Sequence, residues 1–155
     1  MSNEKTFKIS IPSDEEGYVL LQCEYCGDFF KCTPGDIESE EVLNIYCPQC
    51  GLVSDNYITD DVMELAKAIA TNYANDMIND FLKDMERKLA SSGIKFKAGK
   101  KTKHEHECSI YSSVDSLVEK RFCCCERSAK INPLLKMSAS YCPFCGVITF
   151  EDEQN

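Results

Sequence analysis

The sequence predicts an α+β protein in which two small cysteine-clasped β-ribbons flank one long amphipathic helix. Three observations predict it. Cysteines recur as C-x2-C pairs near both ends of the chain, and the segment around the first set is repeated around the second. Between them, apolar residues recur at helical spacing over residues 60–92. The chain accordingly divides into an N-terminal ribbon (1–56), a helix (57–93), a basic linker (94–107) and a C-terminal ribbon (108–155).

Composition narrows the function classes. Eleven of 155 residues are cysteine and the formal net charge is −9. There is no 18-residue apolar run, so no membrane span is expected. The N-terminal stretch carries Glu4 and no apolar core follows it, so no secretory signal is expected either. The expected compartment is the cytoplasm, where thiols stay reduced and dense cysteines point to metal rather than to disulfides. An odd count of 11 could not be fully paired in any case.

The first knuckles are Cys23-Glu24-Tyr25-Cys26-Gly27 and Cys47-Pro48-Gln49-Cys50-Gly51. Each i, i+3 pair turns two sulfurs toward one point, and the following glycine permits the left-handed residue that closes the turn. Two such rubredoxin-like knuckles supply the four soft ligands of a tetrahedral structural zinc ion. The competing redox reading of Cys47-Pro48-Gln49-Cys50 and Cys142-Pro143-Phe144-Cys145 needs a helix N-terminus after the pair. Here glycine and strand-like residues follow instead (Leu52-Val53-Ser54, Val147-Ile148-Thr149).

The repeat locates a second site. Tyr46 to Ser54 matches Tyr141 to Thr149 at an offset of 95, and Cys26, Lys31 and Pro34 match Cys125, Lys130 and Pro133 at an offset of 99. Cys125, Cys142 and Cys145 are therefore ligands of a second zinc ion. The counterpart of Cys23 is Phe122, so the fourth thiolate comes from Cys124 or Cys123. A distorted turn lets Cys124 and Cys125 both chelate, whereas an extended segment puts Cys123 and Cys125 on one side. His104, His106 and Cys108 are more distant substitutes. Cys32, Cys108 and the unused member of the 123–125 trio are expected to be small buried hydrophobes.

The remaining elements follow in order. Residues 6–11 alternate as a half-buried strand does, and Pro12 to Gly17 is a turn. Tyr18 to Leu21 is a strand entering the first knuckle, and Phe29 to Lys31 is its return. Asp36 to Glu41 is an acidic loop or short helical turn. Thr59 is a candidate N-cap for a helix whose stripe comprises Val62, Leu65, Ala66, Ile69, Tyr73, Met77, Phe81, Met85 and Leu89. Ser91-Ser92-Gly93 ends it.

Charge is segregated. Residues 87–103 hold seven Lys or Arg and no acid. Lys95, Lys97, Lys100, Lys101 and Lys103 are the candidates for contact with nucleic acid or an acidic partner. Overall acidity and the lack of aromatic stacking platforms make nucleic acid the less favoured partner. The long apolar stripe suggests a protein partner or a second copy of the chain through residues 60–92. No nucleophile–base pair, P-loop or helical His-x3-His site is present, and four-cysteine zinc sites are closed, so a non-catalytic protein is expected.

The chain resembles a family of uncharacterised bacterial proteins described as transcription-factor-IIB-type zinc-ribbon-containing. The resemblance rests on Phe7-Lys8-Ile9-Ser10-Ile11-Pro12-Ser13-Asp14, Gly17, the Cys23/Cys26 knuckle and Tyr46-Cys47-Pro48-Gln49-Cys50-Gly51. It continues through the helix after Thr59-Asp60-Asp61 to Cys124-Cys125-Glu126 and Tyr141-Cys142-Pro143-Phe144-Cys145-Gly146. It implies a second ribbon opened by adjacent cysteines, which favours Cys124 with Cys125. The family description marks a fold and does not imply transcription.

Overall fold

A computed structural model describes residues 4–110 and 114–150. The chain forms two compact units: Met1–Thr59 with Ile110–Asn155, and Asp60–Ser109. The two cysteine-bearing segments, which the sequence separates as 1–56 and 108–155, thus belong to a single unit.

In that unit β1 (Val19–Gln22) and β2 (Phe29–Cys32) form one hairpin, and β3 (Val118–Phe122) and β4 (Arg127–Ile131) form the other. The hairpins join through β2 and β4 into one antiparallel sheet of order β1-β2-β4-β3. Two one-turn helices follow them, α1 (Pro34–Ile37) and α3 (Pro133–Lys136). Each opens with a capping side chain, Thr33 or Asn132, and a proline at its first position. A small ladder of β5 (Ser140–Tyr141) and β6 (Ile148–Thr149) carries the last knuckle, and a Tyr46–Val53 bridge stands in the same place in the first copy.

The repeat is arranged as an internal dimer. The residues paired across β2 and β4 are Lys31 and Lys130, which are equivalent in the two copies. The Tyr46 amide donates to the Pro143 carbonyl at 2.8 Å, and the Tyr141 amide donates to the Pro48 carbonyl at 2.9 Å. These are the same bond seen from each side, the signature of a two-fold relation. Each tyrosine ring also covers the other copy's knuckle glycine. A Cβ on Gly51 would meet the Tyr141 ring at 2.8 Å, and one on Gly146 would meet the Tyr46 ring at 2.7 Å. Both glycines also have φ of +72°. Gly51→Ala is expected to destabilise the chain by about 2–4 kcal/mol, combining left-handed strain with overpacking. Gly27→Ala has the strain alone, since nothing lies within 4 Å of its Cβ position. Denaturant titration of the two variants should rank them in that order.

Like charges facing each other on a ladder are unfavourable, and Asp14 resolves this one. Its Oδ2 lies 3.2 Å from Lys31 Nζ and 2.8 Å from Lys130 Nζ, and Glu16 also reaches Lys130. Its Oδ1 accepts from the Glu16 and Tyr18 amides, which fixes the turn before β1. Burial alone would raise the Asp14 carboxyl. The Lys130 ammonium, the Tyr18 amide and Lys31 outweigh it and hold the group well below the usual carboxylate range.

The core of this unit comprises Phe30, Cys32, Phe122, Ala129, Ile131, Leu135, Cys142 and Phe144. Tyr57 packs edge-on against Phe30, with ring centres 5.6 Å apart. The half-buried strand expected at 6–11 does not form: these residues are mostly exposed, and among the described residues the nearest bridge is Ser13–Val19. Pro12 has no N–H to give a ladder at that edge, so alternation without a partner strand stays open.

The second unit contains α2 (Asp60–Ser91) and the segment that follows it. At 32 residues the helix is about 48 Å long. Its end is a Schellman closure: Ile94 N–H donates to the Leu89 carbonyl, Gly93 N–H to that of Ala90, and Gly93 has φ of +80°. Segment 94–107, expected to be an exposed linker, returns along the helix. Asn79 meets Thr102, Asp76 meets His104 at 2.7 Å, and Asn72 exchanges hydrogen bonds with the Glu105 backbone and donates to the Glu107 carboxylate. Positions 72, 76 and 79 share one helical face, the polar one. Polar pairing therefore buries Asn72, while Met77 and Phe81 of the expected apolar stripe stay exposed. Among the described residues, no helix is long and apolar enough to cross a membrane.

Candidate metal centres

The first centre gathers Cys23, Cys26, Cys47 and Cys50, with all four sulfurs within 4.8 Å of one another. Cys23 Sγ lies 3.7 Å from Cys50 Sγ, and Cys26 Sγ lies 3.6 Å from Cys47 Sγ. Metal–sulfur bonds of about 2.3 Å in a regular tetrahedron require edges of about 3.8 Å. The sulfurs are therefore spaced for one ion, and a soft four-thiolate set suits zinc or iron.

The knuckle backbones are closed by glycine amides. Gly27 N–H donates to the Cys23 carbonyl at 2.9 Å and Gly51 N–H to that of Cys47 at 2.8 Å. Burial would push the Cys23 thiol up, but the amides of Cys26 and Tyr25 and the neighbouring thiols Cys26 and Cys47 bring it down. Cys47, shut in more deeply, is pushed far up by burial. Without a cation such a cluster cannot ionise all its thiols, so metal entry must displace protons.

The second centre gathers Cys124, Cys125, Cys142 and Cys145, again within 4.8 Å. Cys125 and Cys142 are 3.6 Å apart, Cys142 and Cys145 3.6 Å, and Cys145 and Cys124 3.5 Å. Burial pushes Cys142 far up, and burial with the Cys124 and Cys125 thiols takes Cys145 to about 12.

The structure also shows how this irregular knuckle works. The turn is unchanged: Glu126 N–H donates to the Phe122 carbonyl at 2.8 Å, as Gly27 does to that of Cys23. Glu126 even adopts the left-handed φ of its glycine counterpart, at +57°. Only the side chains have shifted. Phe122 is fully buried in the core, and the sulfur comes instead from Cys124, two residues further along. Cys123 stays outside the group and is exposed.

Of the three remaining thiols, Cys32 is fully buried, and burial drives it far up, as expected of a small hydrophobe. Cys108 and Cys123 are both exposed, contrary to expectation. Cys123 lies in the turn after Phe122 has taken the inward place, and Cys108 lies on the segment along α2. His104 and His106 belong to neither centre: His104 pairs with Asp76, and His106 Nδ1 is 3.6 Å from Cys108 Sγ. Lys95, Lys97, Lys100, Lys101 and Lys103 are all exposed and are not brought to either thiol group. Comparison with protein families, with curated proteins and with solved structures finds no match to this chain.

Proposed function

We propose that the protein is a non-catalytic zinc protein in which two zinc ribbons form one unit and a long helix serves as a protein-interaction arm. The observation that supports it most is the gathering of eight thiols into two groups at single-ion spacing. Four protein ligands leave no position for water or substrate, which favours a structural ion. The helix supports the adaptor role: Met77, Ile78 and Phe81 are exposed and cluster on one face of α2. The resemblance to bacterial zinc-ribbon proteins and a reducing cytoplasmic setting accord with this reading.

Metal analysis of the purified chain tests it. Two zinc ions per chain and no visible charge-transfer band are expected. Iron in the same sites would give colour and overturn the choice of metal, and one ion per chain would overturn the second centre. Met77→Ser with Phe81→Ser should leave the metal count unchanged while abolishing partner capture or self-association seen by light scattering.

A second reading, contact with nucleic acid, is favoured by the exposure of the five lysines of the returning segment. Residues 60–109 carry nine acids and nine bases, so that unit is neutral and the −9 resides in the cysteine-bearing unit. A nucleic-acid role requires salt-dependent binding of single- or double-stranded probes at low ionic strength, lost when the five lysines are replaced.

A further inference from the structure

We propose that Cys123 and Cys124 form a peroxide-oxidisable thiol pair whose closure into a disulfide opens the second metal centre and leaves the first intact. The inference rests on the reading that both centres hold metal.

The two centres differ in what surrounds them. In the first, the position held by Phe122 in the repeat is a buried ligand, Cys23, and the one exposed ligand is Cys26. The spare thiol of that copy, Cys32, is sealed in the core. The second centre has lost the buried ligand to Phe122 and uses exposed Cys124 in its place. The residue next to Cys124 is a spare thiol that is itself exposed. Cys123 also lines an open groove of about 840 Å³ with Arg121, Met137, Ile148 and Phe150, wide enough to admit a small oxidant. Only the second centre therefore joins an accessible ligand sulfur to an accessible second thiol.

The chemistry balances with hydrogen peroxide as the oxidant. Cys123 Sγ attacks one peroxide oxygen; the O–O bond breaks, giving a sulfenic acid, and the Cys123 proton leaves with the other oxygen as water. The Cys124 sulfur then attacks the Cys123 sulfur, the S–S bond forms, hydroxide leaves, and Cys124 would give up its place as a metal ligand. Two electrons pass from the two sulfurs to peroxide. An ion held at this centre would keep only the Cys125, Cys142 and Cys145 thiolates and would be released. Adjacent Cα atoms lie about 3.8 Å apart, nearer than the span of an unstrained disulfide, so the bond is readily reduced and the change reversible.

The experiment uses the full zinc-loaded chain, with its metal content measured before oxidation. Hydrogen peroxide is added, released zinc is followed with a chromogenic chelator, and disulfides are mapped by mass spectrometry. Release of one zinc per chain with a Cys123–Cys124 disulfide, reversed by dithiothreitol and added zinc, is expected. Cys123→Ser keeps all eight ligands and should release zinc several-fold more slowly, with no disulfide formed at this turn. Cys108→Ser, which removes the other exposed spare thiol, should behave as the wild type. Equal release from both centres, a different disulfide, or unchanged kinetics in Cys123→Ser overturns the proposal. A chain holding one zinc before peroxide is added overturns the two-centre reading itself, which separates the two failures.

Discussion

Removing both metal ions is expected to unfold the cysteine-bearing unit while α2 keeps much of its helicity. Structural zinc contributes roughly 10–16 kcal/mol in small modules, as much as the whole stability of an ordinary domain. The hydrophobic core beneath the two centres is small, and two of its members, Cys32 and Cys142, are themselves cysteines. In the metal-free chain, burial opposes ionisation of Cys47 and Cys142, so the clusters become packed neutral thiols with nothing to hold them together. The helix contributes no thiol to either group, and its polar pairing with Thr102, His104 and Glu105 is independent of metal. Amide-resolved hydrogen exchange before and after chelation checks this. Protection should vanish in β1 to β4 and persist in the middle of α2. A unit that keeps its protection in chelator would show that the core alone carries the fold. Acid should act in the same direction, because metal binding requires deprotonated thiols: the metal-derived stability is present at neutral pH and is lost as pH falls.

Asp14→Ala is expected to cost about 3–5 kcal/mol, the range for stranding a buried charge. The Lys31 side chain is only 5% exposed, and the substitution would leave it facing Lys130 without its main counter-charge. Asp14→Asn separates the effects, because an amide oxygen can still accept from the Glu16 and Tyr18 amides but carries no charge. It should recover the turn and retain most of the loss. Combining Asp14→Asn with Lys31→Met should restore stability, since an apolar pair replaces a broken ionic one. Denaturant midpoints of the three variants decide; a loss below about 1 kcal/mol in Asp14→Asn would reduce this contact to an ordinary surface ion pair. The sign with pH follows from the lowered carboxyl. Its stabilisation is complete above the unfolded value of about 3.9 and declines as pH falls from there toward the folded value.

Much of the ligand set was legible because metal chelation is written locally. An i, i+3 cysteine pair followed by glycine specifies its own turn, and Cys23, Cys26, Cys47, Cys50, Cys142 and Cys145 all occur in that form. The long helix was legible for the same reason: its period and its Ser91-Ser92-Gly93 stop are local signals. The third ligand-bearing turn was not. Whether Cys123 or Cys124 joins the thiol group depends on which neighbour enters the core, and Phe122 decides that through contacts with residues far along the chain.

Two cysteine-rich copies, a helix between them and a charge imbalance are all readable from local spacing and composition. That the copies pair with each other is visible only in the folded chain. The exchange of Tyr46 with Pro143 and Tyr141 with Pro48, and the pairing of Lys31 with Lys130, join residues about a hundred positions apart, where no local periodicity records the partner. The course of the basic segment was decided in the same way. Its lysines suggest a free linker, but Asn72 bonds the Glu105 backbone and Asp76 the His104 side chain, which lays the segment along the helix and leaves the lysines exposed. Spacing along a chain specifies turns and faces; which faces meet depends on what each must bury or neutralise once the chain has closed.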